Sequence, residues 1–317
     1  MSFIHDAADF DDLIRAVARS RRIQPALVEK DYWVTHTLWA LHQLGLEIWF
    51  KGGTALSKGY GIIERFSEDV DLCIKPGTAQ GLPEVASWTS VNKGPIAARL
   101  AFYLQLQKIM AIPGAVVAMA AGGLDHRGRS ASYTVVYPGH FVGNLPPTMR
   151  PHVLVEVGDA RVTPFELRDM SSFVHDWLHD RGQLVEFADN RPRSVRCLHP
   201  SAVLVEKLDA ILRRYHRTPR VPHEFVRHYE DAARIILYLQ GNGTSVSEAR
   251  GLVAEMLERR QIAGSIRSTD GAFDCTDDAA GAELVAAHDL IAPMFWGPRL
   301  SMVEACGLIR QWLRLLE

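Results

Sequence analysis

The sequence predicts an α+β protein, with a mixed sheet and covering helices followed by a helical C-terminal domain. Three observations lead there. Short apolar segments of strand character recur at residues 46–50, 69–74, 114–120, 131–137 and 152–157. Glycines and prolines separate them, and helical patterns lie before and between them. Beyond Pro164 the composition turns helical. The expected division is therefore 1–165, N-terminal helices plus a sheet core, and 166–317, a helical domain.

In chain order, residues 9–43 read as helices, with Leu27, Val34, Leu38 and Leu41 at helical spacing and Pro25 near the start of the second. Glu29, Lys30 and Asp31 fall on the polar side of that helix, either as a salt-bridged surface or to position a ligand. LEIWF (Leu46 to Phe50) is a strand, Gly52-Gly53 a turn, and about one helix length separates Thr54 from the strand DVDLCI. A loop rich in Gly, Pro, Ser and Thr fills 76–94, and a long helix covers 96–110. Past the remaining strands, helices are expected at 172–179, 201–215, 224–239, 245–259, 279–291 and 302–315, with turn-rich connections at 241–245 and 268–278.

The chemistry concentrates in KGGTALSKGYGIIERFSEDVDLCI (Lys51 to Ile74). Side chains alternate across a strand, so Asp69, Asp71 and Cys73 share one face while Val70, Leu72 and Ile74 face the core. The two carboxylates then project side by side, roughly 7 Å apart. Such a pair calls for a shared proton or a cation, and all-oxygen ligation suits Mg²⁺ or Mn²⁺. A turn without side chains, Gly52-Gly53, lets backbone N–H groups approach a phosphate. Either feature alone is commonplace, as a tight turn or a solvated strand edge. In this order, with an apolar strand on each side, they specify a site for a metal and a triphosphate.

GGTAL and RFSEDVDL resemble the nucleotidyltransferase toxins of the AbiEii/AbiGii abortive-infection type, a branch of the DNA polymerase beta-like nucleotidyltransferases. VEKDYWV upstream, and HPSAVLVEKL and VRHYEDAARI downstream, extend the resemblance over roughly residues 28–240. The gap from glycines to aspartates is slightly longer than in the broad superfamily but fits this branch. Residues 240–317 carry no part of it. The resemblance implies a polymerase beta-like core and transfer of a nucleoside monophosphate from an NTP to an acceptor hydroxyl. It also implies that the acceptor is the 3′ end of tRNA, and that the protein is a toxin or phage-defence effector restrained by a separate antitoxin.

Further candidates join the site. In HVLVEVG (His152 to Gly158), Val153, Val155 and Val157 face one way, Leu154 and Glu156 the other. A glutamate there needs a partner. It is either the third metal-binding carboxylate, as the resemblance implies, or a solvent-facing or arginine-paired residue, with Arg161 nearby. Lys207 flanks an apolar stripe of Leu204, Leu208, Ile211, Leu212 and Tyr215, where lysines commonly snorkel. The resemblance makes it a triphosphate ligand. On the next helix, Phe225, Ala232, Ile236 and Leu239 are core, and His228 and Asp231 share a flank at a spacing that allows a hydrogen bond. The family's R-H-Y-x-D element turns Asp231, and less strongly Arg227, toward the active site. Arg65 and Ser67 match its R-x-S element, and Ser67 either meets a phosphate or caps the turn.

Basic residues outnumber acidic ones between Arg191 and Arg234, with Arg213, Arg214, Arg217 and Arg220 as the densest run and Tyr215 and His216 among them. This is a solvated face or, beside a nucleotide site, an RNA-docking patch with aromatic rings for unpaired bases. A net charge of −2 over 317 residues shows no global nucleic-acid signature. No apolar run spans a bilayer, and the acidic N-terminal segment is unlike a signal peptide, so a cytoplasmic protein without membrane partners is expected. Cys73, Cys197, Cys275 and Cys306 are far apart without a CxxC, and read as reduced thiols. Two alternatives stay open: an enzyme that nucleotidylates or phosphorylates a protein, including its own Ser67 or an antitoxin, and a non-catalytic nucleotide-binding module.

Overall fold

The computed structural model describes residues 1–67, 69–146, 149–275 and 279–317. Glu68 of the RFSEDVDL run, and Thr276 to Asp278 at the end of the last turn-rich connection, lie outside the described residues. The chain forms two compact units, Met1–Gly59 with Ser67–Cys197 and Tyr60–Phe66 with Leu198–Glu317.

The first unit is built on a mixed sheet whose strands run in the order β3-β4-β5-β2-β1-β7-β6. In chain order its elements are α1 (Phe10–Arg21), α2 (Pro25–Gln43), β1 (Glu47–Lys51), the single turn α3 (Gly52–Thr54), β2 (Asp69–Lys75), α4 (Lys93–Ile109), β3 (Val116–Leu124), β4 (Ser130–Val136), β5 (Val153–Gly158), β6 (Phe165–Arg168), α5 (Phe173–His179) and β7 (Val195–Leu198). β2 lies between antiparallel β1 and parallel β5. Cys73 is buried along with Val70, Leu72 and Ile74, while Asp69 and Asp71 keep partial access to solvent and Lys75 at the strand's end is exposed.

Several expectations change here. The division falls after Cys197 instead of after residue 165, because β7 pairs in parallel with β1 through Trp49↔Arg196 and Phe50↔Cys197. Strands β6 and β7 therefore stand in a stretch whose composition reads as helical. The helix expected after Thr54 is short: α3 runs into a π-helical turn at Ala55–Gly59, and the chain then leaves the first unit at Tyr60. α2 has no solvated side where its charges sit. Glu29, Lys30 and Asp31 are buried with Tyr32, Trp33 and Val34, so the polar positions turn inward to partners. The loop before α4 is fastened by buried Arg99, whose guanidinium donates to the carbonyls of Ser87, Ser90 and Arg127.

The second unit contains α6 (Pro200–Tyr215), α7 (Arg227–Gly241), α8 (Val246–Glu258), α9 (Ala279–Leu290) and α10 (Met302–Leu316). α7 packs against both α6 and α10, burying Ala232, Ile236 and Leu239 as the apolar spacing predicts. Ser301 opens α10 with a capping box closed by Glu304. Residues 60–66 join this unit through an isolated bridge of Arg65 with Phe295, with the Phe66 N–H donating to the Met294 carbonyl at 2.8 Å and the Trp296 N–H to Glu64 at 3.0 Å. Cys275 and Cys306 form a disulfide, Cα atoms 6.3 Å apart, which corrects the reading of all four cysteines as free thiols. The pairing joins a loop to α10 across 31 residues and leaves no local spacing signal in the sequence. Cys73 and Cys197 are buried and lie outside the disulfide. No described helix is long and apolar enough to cross a membrane.

Candidate active site

In the first unit, parallel pairing sets Asp69 opposite Leu154 and Asp71 opposite Glu156, while antiparallel pairing sets Lys51 opposite Asp71 and Ser132 opposite Glu156. Directly paired residues project to the same side of a sheet. Lys51, Asp71, Glu156 and Ser132 thus form one row across four strands, with Asp69 two residues along β2. Glu156 belongs with the aspartates, and its alternative as a partner of Arg161 is not realised: Arg161 is buried and donates through Nε to the carbonyl of Thr163.

Gly52 makes this face possible. Its φ is +75°, and a Cβ there would overlap the carboxylate of Asp71. Any other residue would meet backbone strain and also push Asp71 aside. Thr54, buried at the end of the same turn, directs its hydroxyl to the backbone carbonyls of Asp69 (2.5 Å) and Ser67 (3.1 Å). Its side chain ties the glycine turn to the start of β2 and is not turned to a ligand. Among the described residues the Ser67 hydroxyl has no hydrogen-bond partner, and the carbonyl of Ser67 accepts from Thr54. Gly53 is buried in α3 between them.

Carboxylates crowd this face. Burial, then Asp71, then Asp69 push the Glu156 carboxyl up to about 7, and its side chain is hydrogen-bonded to Asp71. Asp69 instead accepts from Arg150 Nη1 at 2.9 Å. Among the described residues no group of three or more His, Cys, Asp or Glu side chains is gathered tightly enough to hold a metal ion. The donor chemistry nonetheless fits a hard divalent cation: three carboxylates on one face, all oxygen.

Sequence reasoning left Glu29, Lys30 and Asp31 open between a salt-bridged surface and nucleotide positioning, and their burial excludes the surface. Each buried side chain fastens a different loop. Glu29 accepts from the backbone N–H groups of His140 (2.8 Å) and Phe141 (3.1 Å). Lys30 Nζ donates to the carbonyl of Arg150 at 2.5 Å. Asp31 accepts from the N–H of Phe173 and pairs with Lys58 at 2.5 Å, and Lys58 lies in the π-helical turn behind the glycines. Three consecutive charges in an otherwise apolar helix were the available signal. Lys51, Ser132 and Arg150 carried none, because register and loop path bring them to the face.

Lys207 and Asp231 belong to the second unit, where they meet Arg65. Asp231 takes Arg65 in a two-pronged pair, Nε to Oδ1 at 2.8 Å and Nη2 to Oδ2 at 2.6 Å, and Lys207 Nζ donates to Oδ2 at 2.7 Å. Burial alone would raise the Asp231 carboxyl, but Arg65 and Lys207 hold it well below the usual range. Burial lowers Lys207, and Asp231 opposes that. The His228–Asp231 hydrogen bond allowed by their spacing does not form. The Asp231 carboxylate is taken by the two cations, and His228, held neutral chiefly by burial, lies 3.3 Å from Arg214 Nη1 through Nε2. Arg227 begins α7 one residue before it.

The basic run is largely engaged within the second unit. Arg213 pairs with Asp209 at 2.7 Å, and Arg214 donates to the carbonyl of Glu224. Arg220 donates to the Tyr215 carbonyl and lies 3.9 Å over the Tyr215 ring. His216 bonds Asp270 at 3.0 Å. Among the described residues the guanidinium of Arg217 has no such partner. The two rings expected to stack on bases are therefore in use.

A mixed sheet with carboxylates in register beside a glycine turn fits a nucleotidyltransferase-like α+β fold. Residues 37–288 match the family described as nucleotidyl transferase AbiEii toxin, type IV toxin–antitoxin system, and the chain belongs to that family. The match runs past residue 240, into helices for which the motifs alone name nothing. No curated protein matches the chain.

Proposed function

We propose that this toxin transfers a nucleoside monophosphate from an NTP to the 3′ hydroxyl of a tRNA. The acceptor oxygen bonds the α-phosphorus, the α–β phosphoanhydride bond breaks and pyrophosphate leaves. The observation that carries the reading is the row of Asp71 and Glu156 in register, with Asp69 beside them and Gly52 against Asp71. Asp69, Asp71 and Glu156 would hold Mg²⁺ or Mn²⁺, which supplies neutralising charge to the triphosphate and acidifies the acceptor hydroxyl. Glu156 would help remove the acceptor's proton. The backbone at Gly52 and Gly53 admits phosphate oxygens. The family resemblance assigns Lys207 to the β- and γ-phosphates, and Asp231 keeps its ammonium charged and oriented within α6 and α7. A toxin of this family acts beside an antitoxin, which would be its protein partner.

A protein hydroxyl as acceptor is the second reading, favoured by the internal engagement of Arg213, Arg220, Tyr215 and His216. Incubating the protein with total tRNA, its antitoxin and each α-labelled NTP separates the two. Label in RNA that disappears in Asp71→Asn supports the first reading. Label confined to a protein band overturns it in favour of the second.

A further inference from the structure

Arg150 stands outside every motif in the sequence, yet its guanidinium is what the structure places on Asp69, with Nη1 2.9 Å from Oδ1. The two ends of this residue are treated differently. Its backbone is pinned, because the ammonium of buried Lys30 donates to its carbonyl at 2.5 Å. Its side chain is 46% exposed, against 22% for Asp69. Two other arginines of this unit, Arg99 and Arg161, are instead buried, with guanidinium nitrogens on backbone carbonyls. A half-exposed ion pair is worth little and exchanges readily, whereas a guanidinium on a fixed stem is suited to follow a phosphate. Asp69 cannot turn its oxygens fully to a cation while Arg150 holds one of them. A released Arg150 remains rooted three residues before β5, whose Glu156 lies opposite Asp71.

We propose that Arg150 is a displaceable counter-cation of this site: it occupies Asp69 in the metal-free protein and passes to the phosphates of the nucleotide when a divalent cation engages Asp69. The inference rests on the reading of Asp69, Asp71 and Glu156 as metal donors. It adds a phosphate-binding residue that also sets how readily metal enters without nucleotide.

The test uses the full chain as wild type, Arg150→Gln, Arg150→Lys and Asp71→Asn, with circular dichroism to confirm folding. Mn²⁺ uptake without nucleotide is followed by electron paramagnetic resonance. Affinity for Mn²⁺ complexes of the α,β-methylene analogues of ATP, CTP, GTP and UTP is measured by calorimetry. Removing a neighbouring positive charge should make R150Q bind Mn²⁺ alone on the order of tenfold tighter, and lose on the order of tenfold in affinity for the best nucleotide complex. R150K should keep the weak metal binding and recover part of the nucleotide affinity. Weaker Mn²⁺ binding in R150Q would show that Arg150 positions Asp69 instead of competing for it, and unchanged nucleotide affinity would remove the phosphate role; either overturns the proposal. If D71N loses the Mn²⁺ site, the donor reading stands however the Arg150 arms fall. If D71N binds Mn²⁺ as the wild type does, the donor reading fails and the proposal with it.

Discussion

Replacing Glu156 by Gln should stabilise this protein at alkaline pH while disabling it. The carboxyl is raised from its ordinary 4.5 to about 7, first by burial and then by Asp71 and Asp69. A folded-state value above the unfolded one means that stability is full below about 4.5. It is lost as pH rises through about 7, because the unfolded chain releases its proton first. The shift corresponds to about 3 kcal/mol at full strength. Glu156 is only part-buried, and solvent screening reduces that to about 1–2 kcal/mol. Gln keeps the shape and removes the charge. Urea unfolding of both proteins in metal-free buffer should therefore give E156Q an advantage of about 1–2 kcal/mol at pH 8 that vanishes near pH 4.5. Mg²⁺ or Mn²⁺ should raise the wild-type midpoint and affect the variant less. A variant that is less stable at pH 8, or a difference independent of pH, would refute the picture of a Glu156 carboxyl raised by burial and by its aspartate neighbours.

Other consequences follow from the same geometry. Gly52→Ala places a Cβ against Asp71 at a positive φ, so Mn²⁺ binding should be lost along with about 1–3 kcal/mol of stability; unchanged metal binding by paramagnetic resonance would show that the turn tolerates a side chain. Asp231→Asn strands Arg65 and Lys207 as buried cations and should cost about 3–5 kcal/mol in a urea titration. A near-native midpoint would mean that water reaches the pair. Of the four arginines read as an RNA patch, Arg217 is the least engaged, so Arg217→Gln alone should lower the slope of log affinity for tRNA against log salt by about 1. Equal slopes in R217Q, in the combined glutamine variant of Arg213, Arg214, Arg217 and Arg220, and in wild type would remove this surface from RNA binding.

The sheet face was legible because two local rules sufficed for it. Alternation along DVDLCI put Asp69 and Asp71 on one side, and a lone acidic residue in HVLVEVG had to meet a partner. Register then joined the two, and register is a property of paired strands that neither segment states by itself. Lys51 and Ser132 were invisible for that reason, and Arg150 because a loop delivers it. Glu29, Lys30 and Asp31 misled because helical spacing assumes a solvated side. α2 is enclosed, and its charges hold loops instead of facing water. The domain boundary was misplaced for a related reason: β7 is decided by pairing with β1, more than a hundred residues earlier, and β6 by its place beside β7, against their local composition. The Cys275–Cys306 bond likewise depends on where α10 packs.

The central claim is that the carboxylates of β2 and β5 serve transfer at the α-phosphorus of a nucleotide. The direct measurement is a single-turnover reaction with tRNA and an NTP labelled separately at the α- and γ-phosphates, run with the wild type and with Asp69→Ala and Asp71→Ala. The account predicts α-label in RNA, γ-label released in pyrophosphate, and a loss of about a thousandfold in rate, or about 4 kcal/mol of barrier, in either variant with the fold intact. Transfer of the γ-label to RNA or protein, or near-normal turnover without Asp69 or Asp71, would contradict it.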